Sequence, residues 1–481
     1  MPESVCSLFL VPNLSSLMNA GDMSTTAADR APERPGPFDR LLGLFSEVRP
    51  GEGARALLML VNVFLILVSY YVIKTVREPL ILGTEVPGFL QALGIKSAAE
   101  VKTFAAAGQA LVLMAFVPAY SWFASRADRM NLIVGVTLFF VANILAFAVA
   151  VHAGVPFIGV TFYVWVGFFS LSIIAQFWSY ANDIYTRDAG NRLFPIIGIG
   201  ATAGSPVGAW VAGRLFHAHV TAHVMLYLAA GLLLFTLVLY VVVNRGASGP
   251  AGTAGAPAAQ AALGGQGAFS LVFGNRYILL IAVLLIVLNV VNTVGEYILS
   301  HLVVEHAQAL AAADAGFDKN AYIGAYYGSY FLWVNVVAVL LQAFVASRLV
   351  KRFGLAGVLY ALPIIALGAY GFVAVGATLG VVRLAKTAEN STDYSVMHTA
   401  KQLLWLPTSR EEKYKAKQAV DSFFVRLGDL AAALVVFAGT AWVTLDSNGF
   451  AVVNLCFVAV WLVLAVALVR RNKSLTAEAK A

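Results

Sequence analysis

Residues 55–78 read RALLMLVNVFLILVSYYVIKTVRE, apolar over most of their length and closing on Lys74, Arg77 and Glu78. A helix of this length crosses a hydrocarbon core of about 30 Å. Backbone groups in lipid must pair within their own segment, so such a run is helical. The charges at its end either snorkel to an interface or face a polar interior.

Runs of this kind recur along the chain. Hydrophobic residues make up 60% of its 481 positions and charged residues 12%, with a mean hydropathy of +0.80. Soluble domains carry about a quarter charged residues, so the composition predicts an all-α polytopic membrane protein embedded in a lipid bilayer. Twelve transmembrane helices are read. The first six are 55–78, 102–125, 132–152, 157–182, 194–216 and 224–244. The second six are 277–304, 321–347, 355–375, 379–398, 418–444 and 450–469. Between them, residues 245–267 (RGASGPAGTAGAPAAQAALGGQG) are too rich in Gly, Ala and Pro to bury a core. The expected organisation is a disordered or interfacial tail (1–50), a six-helix half (51–244), a cytoplasmic linker (245–268), a second six-helix half (269–470) and a C-terminal tail (471–481).

Loop charge sets the orientation. Arg126, Arg129, Arg187, Arg192, Arg245, Arg276, Arg348, Lys351, Arg352 and the segment from Lys401 to Lys417 fall on one side, as do Arg470, Arg471 and Lys473. The other side holds little beyond Lys96, Lys102 and Lys319. That bias places both termini in the cytoplasm of a multi-pass protein of the inner (plasma) membrane. It also accounts for the net charge of +7 without a nucleic-acid partner. Cys6 and Cys456 suit neither a disulfide framework nor a metal site. In the N-terminal region Phe38, Leu41, Leu42 and Phe45 share a helical face, which suggests a short interfacial helix. Met1 and Met23 are both candidate starts.

Polar residues inside the spans point to function, because their burial in lipid is costly. In the seventh span Asn289, Asn292, Thr293, Glu296 and Ser300 make one narrow stripe. The tenth carries Arg383, Lys386, Asn390, Asp393 and Tyr394 on one broad face, with Glu389 to one side. The fourth carries Ser172, Gln176, Ser179, Tyr180 and Asp183. At the end of the first, Lys74 can pair with Glu78. Gly200, Gly204 and Gly208 form a small-residue ladder for close helix approach, and Tyr322, Tyr326 and Tyr330 read as packing. His217, His219 and His223 read as surface residues without carboxylate partners.

No phosphate-binding loop, metal-ligand spacing or nucleophile elbow appears, so an enzyme, a metal and a cofactor are not expected. A secondary transporter working by alternating access fits the twelve spans and their stripes. The basic loops ASRADRMN (124–131) and SRLVKRFG (347–354), at equivalent places in the two halves, resemble the loop signature of major facilitator transporters.

Residues 393–429 (DYSVMHTAKQLLWLPTSREEKYKAKQAVDSFFVRLGD) resemble the signature region of the ATP/ADP translocases of plastids and intracellular bacteria. The residues that carry it are Tyr394, Ser395, Lys401, Pro407, Lys413, Lys415, Lys417, Asp421, Arg426, Leu427 and Gly428. IKTVREPLIL in the first span, residues 176–201 and the surroundings of Glu296 add weaker likenesses. The chain departs from the family where Arg77 and Glu78 stand for Lys-Asp, where Gln402 stands for an acid, and where Ser300 stands for a lysine common in nucleotide exchangers. The resemblance implies a major-facilitator-like ATP:ADP antiporter, or a carrier of a related phosphorylated anion. Lys74, Arg77, Arg383 and Lys386 would compensate substrate charge, and Gln176, Asn289 and Asn292 would orient the ligand. Glu296 would be a charge partner or proton-coupling group, and Lys401 the functional member of the basic segment. A major-facilitator-like carrier of a non-nucleotide organic anion and a non-transporting membrane sensor are the alternatives.

The orientation is open to direct measurement. A cysteine introduced at Gly316 should react with an impermeant thiol reagent applied outside intact cells, and one at Ser409 should not. Reversed labelling would overturn the cytoplasmic assignments.

Overall fold

The computed structural model describes residues 36–43, 46–86, 88–92, 94–124, 129–246, 267–376 and 378–478. The described residues are helical and contain no strand. Cys6, both candidate starts, Phe45, Arg126, Asp128 and most of the glycine-rich linker lie outside them.

Among the described residues, ten stretches are long and apolar enough to cross a membrane. The first six are α1 (Gly53–Leu82), α2 (Ala98–Ala124), α3 (Arg129–His152), α4 (Ile158–Ile184), α5 (Arg187–His217) and α6 (Ala222–Gly246). Then come α7 (Arg276–Ala313), α8 (Lys319–Leu341) and α9 (Ser347–Ala374). The last two form one 56-residue helical stretch, joined through a π-turn (Gln342–Ala346) and broken inside α9 at a single residue, Gly354 at φ +61°. Only glycine adopts that conformation readily, so the second basic loop is a break within helix rather than a long connection. α10 starts as Leu379–Thr392, passes through a π-turn (Asp393–Met397) and ends as His398–Leu404. Its charged residues keep it out of the apolar set; with α8 and α9 counted separately, it brings the long helices among the described residues to twelve. α11 (Glu412–Val443) and α12 (Ser447–Glu478) follow.

The two sets of six pack as two bundles. Within the first, α1 runs against α5 because the glycine ladder faces it. A Cβ at Gly200 would collide with the Leu60 carbonyl, one at Gly204 would lie 2.6 Å from the Phe64 carbonyl oxygen, and one at Gly208 2.7 Å from that of Val68. The backbones therefore touch, which is how helices gain van der Waals contact where lipid supplies no hydrophobic drive.

The bundles join each other from mid-depth to the side remote from the termini. Gly213 of α5 and Gly328 of α8 bring two backbones together. Phe104 of α2 and Phe437 of α11 meet edge to face with centroids 6.2 Å apart. Near the middle, the Tyr71 hydroxyl of α1 donates to Asn335 Oδ1 of α8 at 2.9 Å. On the remote side His219 also faces a carboxylate, Asp318, at 3.7 Å, a partner not expected from the sequence.

A short helix, Pro37–Leu42, precedes α1 with Phe38 and Leu41 exposed and Leu42 buried. Its Asp39 caps α1 from outside. One carboxylate oxygen accepts the Gly53 N–H at 2.8 Å, and the other accepts those of Gly51 at 3.0 Å and Gly36 at 2.7 Å. The Gly51 N–H first, with those of Gly53 and Gly36, holds the Asp39 carboxyl below its ordinary range against the opposing effect of burial. A carboxyl lowered in the folded state stabilises above its unfolded pKa and stops doing so as pH falls through the folded one. Asp39→Ala should therefore lower Tm at pH 7, by about 1 kcal/mol of stability. That difference should shrink as pH drops below about 4. An equal difference at pH 7 and pH 3 would show that the charge on Asp39 contributes nothing.

Candidate functional site

The end of α1 supplies three buried charges, Lys74 and, one helical turn on, the adjacent Arg77 and Glu78. The Arg77 guanidinium pairs with Glu78 Oε1 and stands 4.3 Å over the Tyr163 ring of α4. The Lys74 ammonium lies 4.4 Å over the Phe331 ring of α8 and 5.3 Å over Tyr71. The other oxygen of Glu78 faces Lys102 Nζ of α2 at 2.8 Å. Lys102 then reaches the second bundle, donating to Ser300 Oγ of α7 at 2.9 Å and to the Tyr327 hydroxyl of α8 at 3.4 Å.

α7 brings Asn292, Glu296 and Ser300 to one face at intervals of four residues. Glu296 Oε1 accepts from Asn390 Nδ2 of α10 at 2.9 Å and from the Tyr330 hydroxyl at 3.2 Å. Two ammonium groups flank the carboxylate, Lys386 at 3.9 Å and Lys102 at 4.0 Å. Lys386 is buried and also holds Asn292 Oδ1 and Glu389 Oε2, both at 3.1 Å. Glu389 accepts a further bond, from the Tyr370 hydroxyl at 2.9 Å. Charges buried this deeply persist only when paired and hydrogen-bonded, and each of these carboxylates has both.

Between the bundles these side chains border a small cavity of about 40 Å³. Its charged lining is Lys74, Arg77, Glu78, Lys102 and Glu296, three cations against two carboxylates. The three cations all come from α1 and α2, while Glu296 comes from the opposite bundle.

Of the residues singled out from sequence, Lys74, Arg77 and Glu296 line the cavity. Asn292 and Lys386 stand behind Glu296. Asn289 lies one turn away on α7, donating to Asp429 Oδ1 at 2.8 Å and to the Val425 carbonyl at 2.7 Å. Arg383 donates to Ser329 Oγ at 2.6 Å and stands over the Tyr326 ring. Gln176 donates to the Leu132 carbonyl at 3.0 Å, inside the first bundle and outside the cavity lining. Lys401 pairs with Asp393 at 3.0 Å further along α10 and is likewise outside the lining. Tyr330 does more than pack, since its hydroxyl serves Glu296.

Lys102 is the residue that sequence reasoning misplaced, as a loop charge at the outer boundary. The structure buries it at the junction of the bundles. The signal was present in Ser97 and Glu100, spaced as a helix-start pair. The Glu100 N–H donates to Ser97 Oγ at 3.2 Å, and the Ser97 hydroxyl donates to Glu100 Oε1 at 2.9 Å. The helix therefore begins before Lys102 and carries it inside. An ammonium consequently stands beside Ser300, although α7 itself has no lysine there.

A family model described as TLC ATP/ADP transporter matches residues 364–472. The chain is 25% identical over 342 residues to ADP,ATP carrier protein 1 of Chlamydia pneumoniae, covering 62% of this chain and 64% of that one. It is 25% identical over 304 residues to ADP,ATP carrier protein 1 of Chlamydia trachomatis, covering 55% of each. The chain thus spans less than two thirds of the length of these relatives. Among solved structures, the nucleoside transporter NupG is similar at TM-score 0.60 and 15% identity, covering 86% of this chain and 98% of that one. A bacterial homologue of the iron transporter ferroportin in an inward-facing state is similar at 0.59 and 15%, with the same coverage. The POT family transporter PepTSo is similar at 0.59 and 13%, covering 88% and 98%. These likenesses show the fold, two six-helix halves of the major-facilitator kind. The family model and the carrier relatives make the chain similar, at low identity, to ATP/ADP transporters.

Proposed function

We propose that the protein is a secondary transporter that exchanges nucleotides, or a closely related phosphorylated anion, by alternating access. The observation that carries this reading is the cavity between the bundles, where Lys74, Arg77 and Lys102 face one space. Three cations against the one carboxylate of Glu78 leave that wall net positive, which suits a ligand with several negative oxygens, because charge-assisted hydrogen bonds are the strong ones. What the carrier relatives are named for fits the same chemistry. The bundles separate and close around the cavity in turn, and contacts on the side remote from the termini hold this arrangement shut there. On the orientation argued from loop charge, the shut side is the outside of the inner membrane and the cavity opens to the cytoplasm.

In this reading Lys74 and Arg77 bind the anionic group. Lys386 sets the charge balance around Glu296 while Asn292 positions Lys386. Arg383 acts at the rim, Asn289 steadies α7 against α11, and Gln176 and Lys401 serve the moving bundles rather than the ligand. Glu296 is a charge partner, held between two ammonium groups, rather than a group poised to carry a proton.

Proteoliposomes loaded with ADP should take up labelled ATP, while vesicles loaded with adenosine should not. Uptake independent of internal nucleotide, or no uptake with any nucleotide pair, would sink exchange as the function. A sharper expectation concerns Glu296→Gln. The amide keeps an acceptor for Asn390 and Tyr330 but releases Lys386 and Lys102 from a carboxylate. ADP should then bind several-fold more tightly, on the order of 1 kcal/mol, with slower turnover. Wild-type affinity and flux in that variant would remove Glu296 from the site.

A further inference from the structure

The geometry points to a second role for Lys102: on the reading proposed above it binds the substrate's anionic group, and to do so it must let go of the opposite bundle. Anion binding would thereby loosen the closure on the side remote from the termini.

The lysine ammonium has three donors, and here they are divided between the bundles. Glu78, at 2.8 Å, belongs to the same bundle as Lys102. Ser300 and Tyr327, at 2.9 and 3.4 Å, belong to the other. The lining is polarised, with Lys74, Arg77, Lys102 and the single carboxylate Glu78 on the α1–α2 wall, which is net positive, and Glu296 opposite. An anion therefore settles against the α1–α2 wall and away from Glu296. What holds Lys102 across the gap at hydrogen-bond distance is a pair of neutral hydroxyls, with the Glu296 carboxylate further off at 4.0 Å, and a phosphate or carboxylate oxygen is a stronger partner than either hydroxyl. Lys102 can keep Glu78 and exchange Ser300 and Tyr327 for the ligand, since none of these is covalently tied to it.

The bonds given up in that exchange cross between bundles, at the level where Gly213 meets Gly328 and Phe104 meets Phe437. A ligand shifts a two-state equilibrium only by interacting differently with the two states. Here the difference is explicit. In the closed arrangement the anion competes with Ser300 and Tyr327 for Lys102, and in the open one it does not.

The test places spin labels at Glu85→Cys and Gly316→Cys, exposed positions on the remote side of opposite bundles, with Cys6 and Cys456 replaced by serine. Distances are read by pulsed electron paramagnetic resonance in lipid nanodiscs, with ADP and inorganic pyrophosphate as probes. The ligand-free protein should show a short distance, and either anion should add a longer one. Lys102→Met should show the longer distance without ligand and bind both anions about tenfold more weakly, the loss of one charge-assisted hydrogen bond. Lys102→Arg should bind like the wild type. Ser300→Ala, which leaves Lys102 and Glu78 intact, should also open without ligand but bind anions more tightly. It decides the matter if Lys102→Met does not fold. Response to pyrophosphate without response to ADP would defeat nucleotide exchange and leave the role of Lys102 standing. A ligand-free Lys102→Met or Ser300→Ala protein as closed as the wild type would overturn the proposal. So would unchanged anion affinity in Lys102→Met, or a wild-type distance that neither anion alters.

Discussion

Burying charge inside a bilayer-spanning bundle is the constraint on which the rest of this structure depends. Lys74, Arg77, Glu78, Lys102, Lys386 and Glu389 are all buried, and Glu296 is nearly so. A charge at that depth is tolerated only with an opposite charge and hydrogen bonds around it. The fold meets this by bringing five helices to one place. α1 supplies Glu78 to α2's Lys102, α7 supplies Glu296, α8 supplies the Tyr327 and Tyr330 hydroxyls, and α10 supplies Lys386 and Asn390. Close backbone contacts elsewhere, such as α1 on α5 through the glycine ladder, let the polar side chains reach each other.

The fold was legible because lipid leaves the chain few choices. Apolar runs of spanning length must be helices, and the stripe on α7 had to turn toward other protein rather than toward lipid. That is why Asn292, Glu296 and Ser300 were readable as a set, and they do meet α2, α8 and α10. Partners were less legible. The sequence suggested Lys74 for Glu78 by helical spacing, whereas Glu78 is held by Arg77 and by Lys102 from another helix. Spacing within one helix says nothing of what a neighbouring helix brings. Gln176 shows the converse. Its stripe on α4 is real, but α3 lies against that face, so the amide is spent on the Leu132 carbonyl.

Lys102 failed for a different reason. Counting loop charges assigns every lysine near a span boundary to water, and boundaries read from hydropathy are uncertain by several residues. Ser97 and Glu100 start α2 early enough to carry Lys102 into the bundle. Helix-start chemistry, not hydropathy, was the informative signal. The same displacement explains how the chain lacks a lysine at Ser300 and still has an ammonium beside it, delivered by a different helix. A motif read along one segment misses a charge restored through space.

The balance of the cavity lining bears on why exchange, rather than free passage, suits such a site. Three cations and two carboxylates leave an excess positive charge facing the cavity. Turning the empty cavity from one side of the membrane to the other would carry that excess through a low-dielectric environment with no counterion, which is costly. An anion bound against Lys74, Arg77 and Lys102 offsets it and replaces the hydroxyl partners that Lys102 gives up. On the proposed function, the loaded carrier therefore reorients more readily than the empty one. A carrier that reorients mainly when loaded must bring one anion in to take another out, and the requirement arises from the unequal charge of two facing walls.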